Sequence, residues 1–129
     1  MNIYTVELKN QPGELAHVCE VLGRAGINIE PAGATSGDHG TVYFTAQDEP
    51  GAAAALEGAG IEFRTHPALT VTCPDQAGEA AKFTRRLANA NINAEWLLPV
   101  SICQGQATFA LCVDKFDEAR SALGDQVSG

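Results

Sequence analysis

The chain repeats itself. A shift of 65 positions carries Thr5-Val6 onto Thr70-Val71, Gln11 onto Gln76, Gly13-Glu14 onto Gly78-Glu79 and Ala16 onto Ala81. The same shift carries Leu22 onto Leu87, Ala25 onto Ala90, Ile27-Asn28 onto Ile92-Asn93, Glu30 onto Glu95, Ser36 onto Ser101, Gly40 onto Gly105 and Phe44 onto Phe109. One constant, gap-free offset thus relates the halves from their first strand to their third, and the register drifts only after Phe44 and Phe109. Solenoid repeats are shorter than this, so the period points to duplication of a whole small domain. The expected units are residues 1–65 and 66–129 of the 129-residue chain.

Each half spells the same order of elements. Ile3 to Leu8 and Ala68 to Cys73 are short runs containing Val, Ile, Thr or Tyr, bounded by Asn10-Gln11-Pro12-Gly13 and Pro74-Asp75-Gln76-Ala77-Gly78; these are first strands ending in turns. Leu15, Val18, Cys19 and Leu22 share one helical face, as do Ala80, Phe83, Leu87 and Ala90, so an amphipathic helix follows in each half. Gly26 and Asn91 stand where such helices stop, since both residue types tolerate a left-handed C-terminal position. Ile27 to Thr35 and Gly40 to Ala46 bracket a polar turn at Ser36-Gly37-Asp38-His39, and Ile92 to Ile102 and Gln106 to Val113 bracket Cys103-Gln104-Gly105. Both halves hold a hairpin. A second helix begins at Asp48-Glu49-Pro50, and its counterpart begins at Asp114 and ends at Gly124. Ile61-Glu62-Phe63-Arg64 alternates as a fourth strand. Only Gln126-Val127-Ser128 is left for that role in the second half, where the last strand is weak or missing. Strand, helix, hairpin, helix, strand is the ferredoxin-like βαββαβ plan, an α+β fold with antiparallel sheets.

The plan hosts enzymes, metal chaperones, RNA binders and sensors, so fold is silent about function. Asn10-Gln11-Pro12-Gly13-Glu14-Leu15 followed by Ala25-Gly26-Ile27-Asn28-Ile29 resembles the two signature segments of ACT domains. The second half keeps Gln76, Gly78, Glu79 and Ile92-Asn93 but has Ala77 before its glycine and Ala80 after its glutamate. The resemblance covers the chain as two units and is similar to stand-alone tandem ACT proteins, the amino-acid-binding regulatory family. It implies units paired through their second strands with ligands at the seam, one site from Asn10 to Leu15 with Asn93, the other from Asp75 to Ala80 with Asn28 and Ile29 nearby.

The residues suit that chemistry without the family name. Gly13 and Gly78 sit where a strand turns into a helix, and a helix N-terminus offers unpaired N–H groups and partial positive charge to a carboxylate. Asn10 or Asp75 can accept from an ammonium group, and Asn28 or Asn93 can donate and accept. Each residue also has a structural role open to it: tight turn for the glycines, helix cap for Asn10 and Asp75, C-terminal satisfaction for Asn28 and Asn93.

Lys and Arg number 8 against 16 Asp and Glu, a net charge of -8. Nucleic acid and anionic membranes need clustered cations, so neither is an expected partner. The Met1-Asn2-Ile3-Tyr4 start lacks a leader pattern and no apolar run approaches ~20 residues, which reads as cytoplasmic. Cys19, Cys73, Cys103 and Cys112 lack CxxC spacing and lie in apolar segments, so four buried free thiols are expected. His17, His39 and His66 fall in different elements and give no metal-ligand spacing; His39 is expected at a hairpin tip, His17 on an exposed helix face and His66 in the linker turn. Neither a cofactor nor a metal is expected. Trp96 and Phe109 are expected to fill core. The leading function is a regulatory sensor that catalyses nothing. A protein–protein interaction module with degenerate sites is the alternative. A small enzyme, with Glu14, Glu79, His17 and His39 as its acid/base groups, ranks last because no pair of them is placed together by sequence. An open edge on the second unit's first strand leads to the expectation of a homodimer formed by strand exchange.

Overall fold

A computed structural model describes residues Met1 to Ser128. The chain divides into a unit spanning Asn2–His66 and a second that runs from Pro67 onward and takes in Met1, whose carbonyl accepts the Ala68 N–H.

In the first unit the order is β1 (Asn2–Lys9), α1 (Glu14–Arg24), β2 (Ile29–Ser36), β3 (His39–Ala46), α2 (Glu49–Gly58) and β4 (Arg64–Pro67). The strands lie in the order β2-β3-β1-β4. Tyr4 pairs with Phe44 across β1 and β3, and their rings stack with centroids 5.3 Å apart. Beneath them α1 delivers Val18 and Leu22 and α2 delivers Ala52 and Leu56, closing one apolar cluster. The Tyr4 hydroxyl donates to the Glu49 carbonyl; burial pushes its pKa up, with the carboxylates of Glu49 and Asp48 adding to the effect.

The second unit repeats the plan with β5 (Leu69–Pro74), α3 (Glu79–Asn89), β6 (Ala94–Cys103), β7 (Gln106–Val113), α4 (Phe116–Leu123) and β8 (Val127–Ser128), in the order β6-β7-β5-β8. Phe83 and Leu87 of α3 and Ala119 and Leu123 of α4 pack on Leu69, Val71 and Leu111. Helix ends are handled alike in both units. Gly26 (φ 74°) and Asn91 (φ 57°) turn left-handed, and the next N–H, of Ile27 or Ile92, reaches back to Leu22 or Leu87, which satisfies carbonyls the helix leaves open.

Five expectations change, four in the strands and one among the cysteines. The hairpins do not follow the constant offset: Tyr4 pairs with Phe44 but Leu69 pairs with Leu111, an offset of 65 on the first strand and 67 on the third. β6 has ten residues against eight in β2, and register breaks at Ala94/Trp96 and Pro99/Ser101 absorb the extra two. Phe109, which packs partly buried against the second core, is therefore not the counterpart of Phe44. The first unit's fourth strand starts at Arg64 because the Ile61 N–H is taken by Leu56 at the end of α2, leaving Ile61 and Phe63 to pack as coil. His66 belongs to β4, and its Nε2 lies 3.0 Å from the Thr5 hydroxyl. The second unit's last strand is short but is the chain's own: Val127 and Ser128 pair with Val71 and Thr70, which removes the reason for strand exchange there.

The four cysteines are free; Cys73 and Cys112 are buried and Cys19 half-buried, whereas Cys103 is exposed, because it sits beside the Gln104-Gly105 turn at the end of an edge strand. Among the described residues no helix is long and apolar enough to cross a membrane.

Three outcomes follow. Burial, with Glu95 adding to it, pushes the Cys112 thiol up to about 11, and the thiol donates to the Pro67 carbonyl. Alkylation at pH 8 followed by mass spectrometry should therefore mark Cys103 and spare Cys112. An unfolded thiol titrates near ~8.5, so the protonated folded form contributes stability that is lost as pH rises toward 11; a Cys112→Ala variant should show a flatter loss across that window. Glycine inside a helix normally costs ~1 kcal/mol relative to alanine. At Gly51, however, a methyl group would run into the Asp48 carboxylate, which caps α2 by accepting the Gly51 N–H, and into Ile27. Gly51→Ala should lower the urea midpoint rather than raise it.

Candidate functional site

The β1–α1 loop is held by a single asparagine. The Asn10 N–H donates to the Asp38 carbonyl at 2.8 Å, and its side-chain amide donates to Gly37 at 3.0 Å. Asn10 thus ties the loop to the β2–β3 turn and is not the cap of α1. That cap is Gly13, at φ 90°, which brings no side chain to the first-turn N–H groups. The second loop copies this backbone: the Asp75 N–H donates to Gly105 at 2.8 Å, and Gly78 caps α3 at φ 88° with no side-chain partner. A Cβ on either glycine would meet nothing within 4 Å. The positive φ is what demands glycine there, and the space before each helix start is open.

Under the first loop lies a cavity of about 180 Å³. Asn10, Gln11, Glu14 and Leu15 wall one side, and Gly33 to Thr35 of β2 with Gly40 to Val42 of β3 form the other. The structure thus brings together four of the residues singled out by sequence. Pro12 and Gly13 shape the loop without lining the cavity. Ile29 opens β2 and Asn28 just precedes it, four and five residues from Gly33 and so roughly 13 and 17 Å away along the chain. In the second unit Asp75, Gln76, Ala77, Gly78 and Glu79 share one loop, while Asn93 precedes β6, its N–H donating to Asp114 Oδ1. Sequence reading missed the cavity floor. Gly33 carried the one available signal, since a glycine inside a strand often marks a close approach.

A larger, open hollow of about 740 Å³ on the other side of α1's start brings Glu14 and His17 together with Glu7, Glu57, Glu62 and Arg64. His39 is exposed beside Asp38 at 3.4 Å. Among the described residues no cluster of three or more His, Cys, Asp or Glu is placed to hold a metal.

Because Asn10 fastens two segments, Asn10→Ala should cost about 0.5–1.5 kcal/mol. Amide exchange should rise selectively in the β1–α1 loop and the Gly37-Asp38 turn, as read by hydrogen–deuterium exchange.

No protein-family model and no curated protein matches the sequence. Solved structures do share its fold. A protein of Bacteroides thetaiotaomicron superposes with a TM-score of 0.86 at 22% identity, covering 98% of this chain and 89% of that one. The regulatory subunit of aspartate kinase from Thermus thermophilus, in its ligand-free form, superposes at 0.68 and 20% identity over 95% of this chain and 86% of its own. The corresponding subunit from Thermus flavus gives 0.66 at 20% identity over the same shares. The fold is two ferredoxin-like, ACT-like units in tandem.

Proposed function

We propose that this chain is a regulatory sensor that binds an amino acid or a close relative at the glycine loops of its ACT-like units, and that binding is its whole activity. The observation that carries the reading is the cavity beneath the Asn10–Leu15 loop, on a fold shared with regulatory subunits of aspartate kinase. An amino-acid zwitterion matches the groups gathered there. Its carboxylate suits the uncapped N–H groups at the start of α1, and its ammonium suits the oxygens of Asn10 and Glu14.

Asn28, Ile29 and Asn93 enter through assembly. β2 is an edge strand and Asn93 borders another, β6; where ACT-like units pair through such edges, these residues come to face a neighbouring loop, completing sites built from Asn10 to Leu15 and from Asp75 to Glu79. A ligand that prefers the paired arrangement shifts the population toward it and changes what the protein contacts. The assembly proposed is a homodimer, in the cytoplasm, where free thiols persist.

Thermal unfolding of the purified chain with each common amino acid tests this. A ligand at a hundredfold excess over its dissociation constant should add about 2.7 kcal/mol of stability, and the shift should vanish in Asn28→Ala or Asn93→Ala. A flat response to every amino acid would leave an interaction module as the better account.

A further inference from the structure

The two glycine loops share a backbone, but what lies beneath them differs. Strand pairing gives the equivalences. Val42 pairs with Val6 and Gly33, and Phe109 pairs with Val71 and Pro99; since Val6 and Val71 correspond, Phe109 stands where the first unit has Val42, and Pro99 where it has Gly33. By the same pairing Ala107, opposite Cys73, replaces Gly40, opposite Leu8. The floor under the first loop is two glycines and a valine. Under the second it is proline, alanine and phenylalanine.

The Phe109 ring lies 5.6 Å from that of Phe83, which is fully buried and occupies the place of Val18. Around that floor the trend reverses, Leu8 on β1 and Leu15 on α1 giving way to Cys73 and Ala80. Apolar bulk has moved from the rim, where it can grip a guest, to the floor, where it fills space. The second loop's glutamate is also occupied: Glu79 pairs with Lys82 at 2.8 Å and its side chain is 14% exposed. His17 holds the lysine's place in the first unit, and among the described residues Glu14 has no such ion pair.

We propose that each chain takes one ligand, in the first unit alone, and that this ligand is an amino acid with a branched aliphatic side chain, seated over Gly33 and Val42 between Leu8 and Leu15. The inference rests on the amino-acid-sensing reading above and narrows it. A cavity of about 180 Å³ matches the size class, ~150 Å³, that admits a benzene-sized apolar guest. Leu15 is 52% exposed, and an aliphatic guest would cover it. The Glu14 carboxylate on the rim disfavours acidic side chains.

Isothermal titration of the full chain with leucine, isoleucine and valine, and separately with aspartate and lysine, decides the matter. The expected result is one equivalent bound per chain for at least one aliphatic amino acid, with affinity weakened about tenfold in Leu15→Ala. Because Leu15 lies on the surface, that variant keeps its fold, which an unchanged melting profile without ligand would verify. Two equivalents per chain, an isotherm indifferent to Leu15→Ala, or binding of aspartate or lysine alone would overturn the inference and leave amino-acid sensing intact. No heat with any common amino acid would overturn both.

Discussion

The bond between the Asn10 amide and the Asp38 carbonyl, copied by Asp75 and Gly105, does more for the site than any side chain lining it. A loop leaving an inner strand would normally be free to move. Here it is fastened to the tip of a hairpin whose own strands are locked into the sheet, so the start of α1 is fixed relative to β2 and β3. The cavity exists because that fastening sets the distance between helix start and sheet, and because small residues leave the floor low. Glu14 and Leu15, at the start of α1, then lie across the cavity from a sheet that cannot drift away from them.

The loops and helix ends were legible because their determinants are local. A left-handed residue after a helix must be Gly or Asn, and Gly26 and Asn91 announced themselves. Gly13 and Gly78 did the same at the helix starts. The hairpins were legible as hairpins, but their register was not, because register is a two-strand property. Ser36 and Ser101, or Phe44 and Phe109, agree in type at a constant offset, yet the strands pair two residues apart. The fourth strand began later than its alternation suggested, since Ile61 is the natural closing residue of α2 and Phe63 is drawn to the core. The floor of the cavity stayed hidden for the same reason as the register: Val42 and Gly33 become neighbours of the loop only once β3 is placed between β1 and β2.

Duplication supplied two copies of one plan, and the second copy is the more filled. Its interior is filled by a phenylalanine pair, its helix-start glutamate is neutralised by a lysine one turn on, and its last strand is reduced to two residues. The first copy keeps an exposed leucine and an open floor, features that add nothing to a core and leave room for the guest proposed above.

The irregularities in β6 reach beyond the second unit's interior. Each break displaces one residue, bends the strand and sharpens its twist. β2, by contrast, runs from Ile29 to Ser36 in unbroken register. That register is broken nowhere, although Pro31 within β2 has no N–H to give, whereas a strand following β6 would lose step twice. The two outer margins, alike in the order of their strands, are therefore unequal in how regular a ladder each presents.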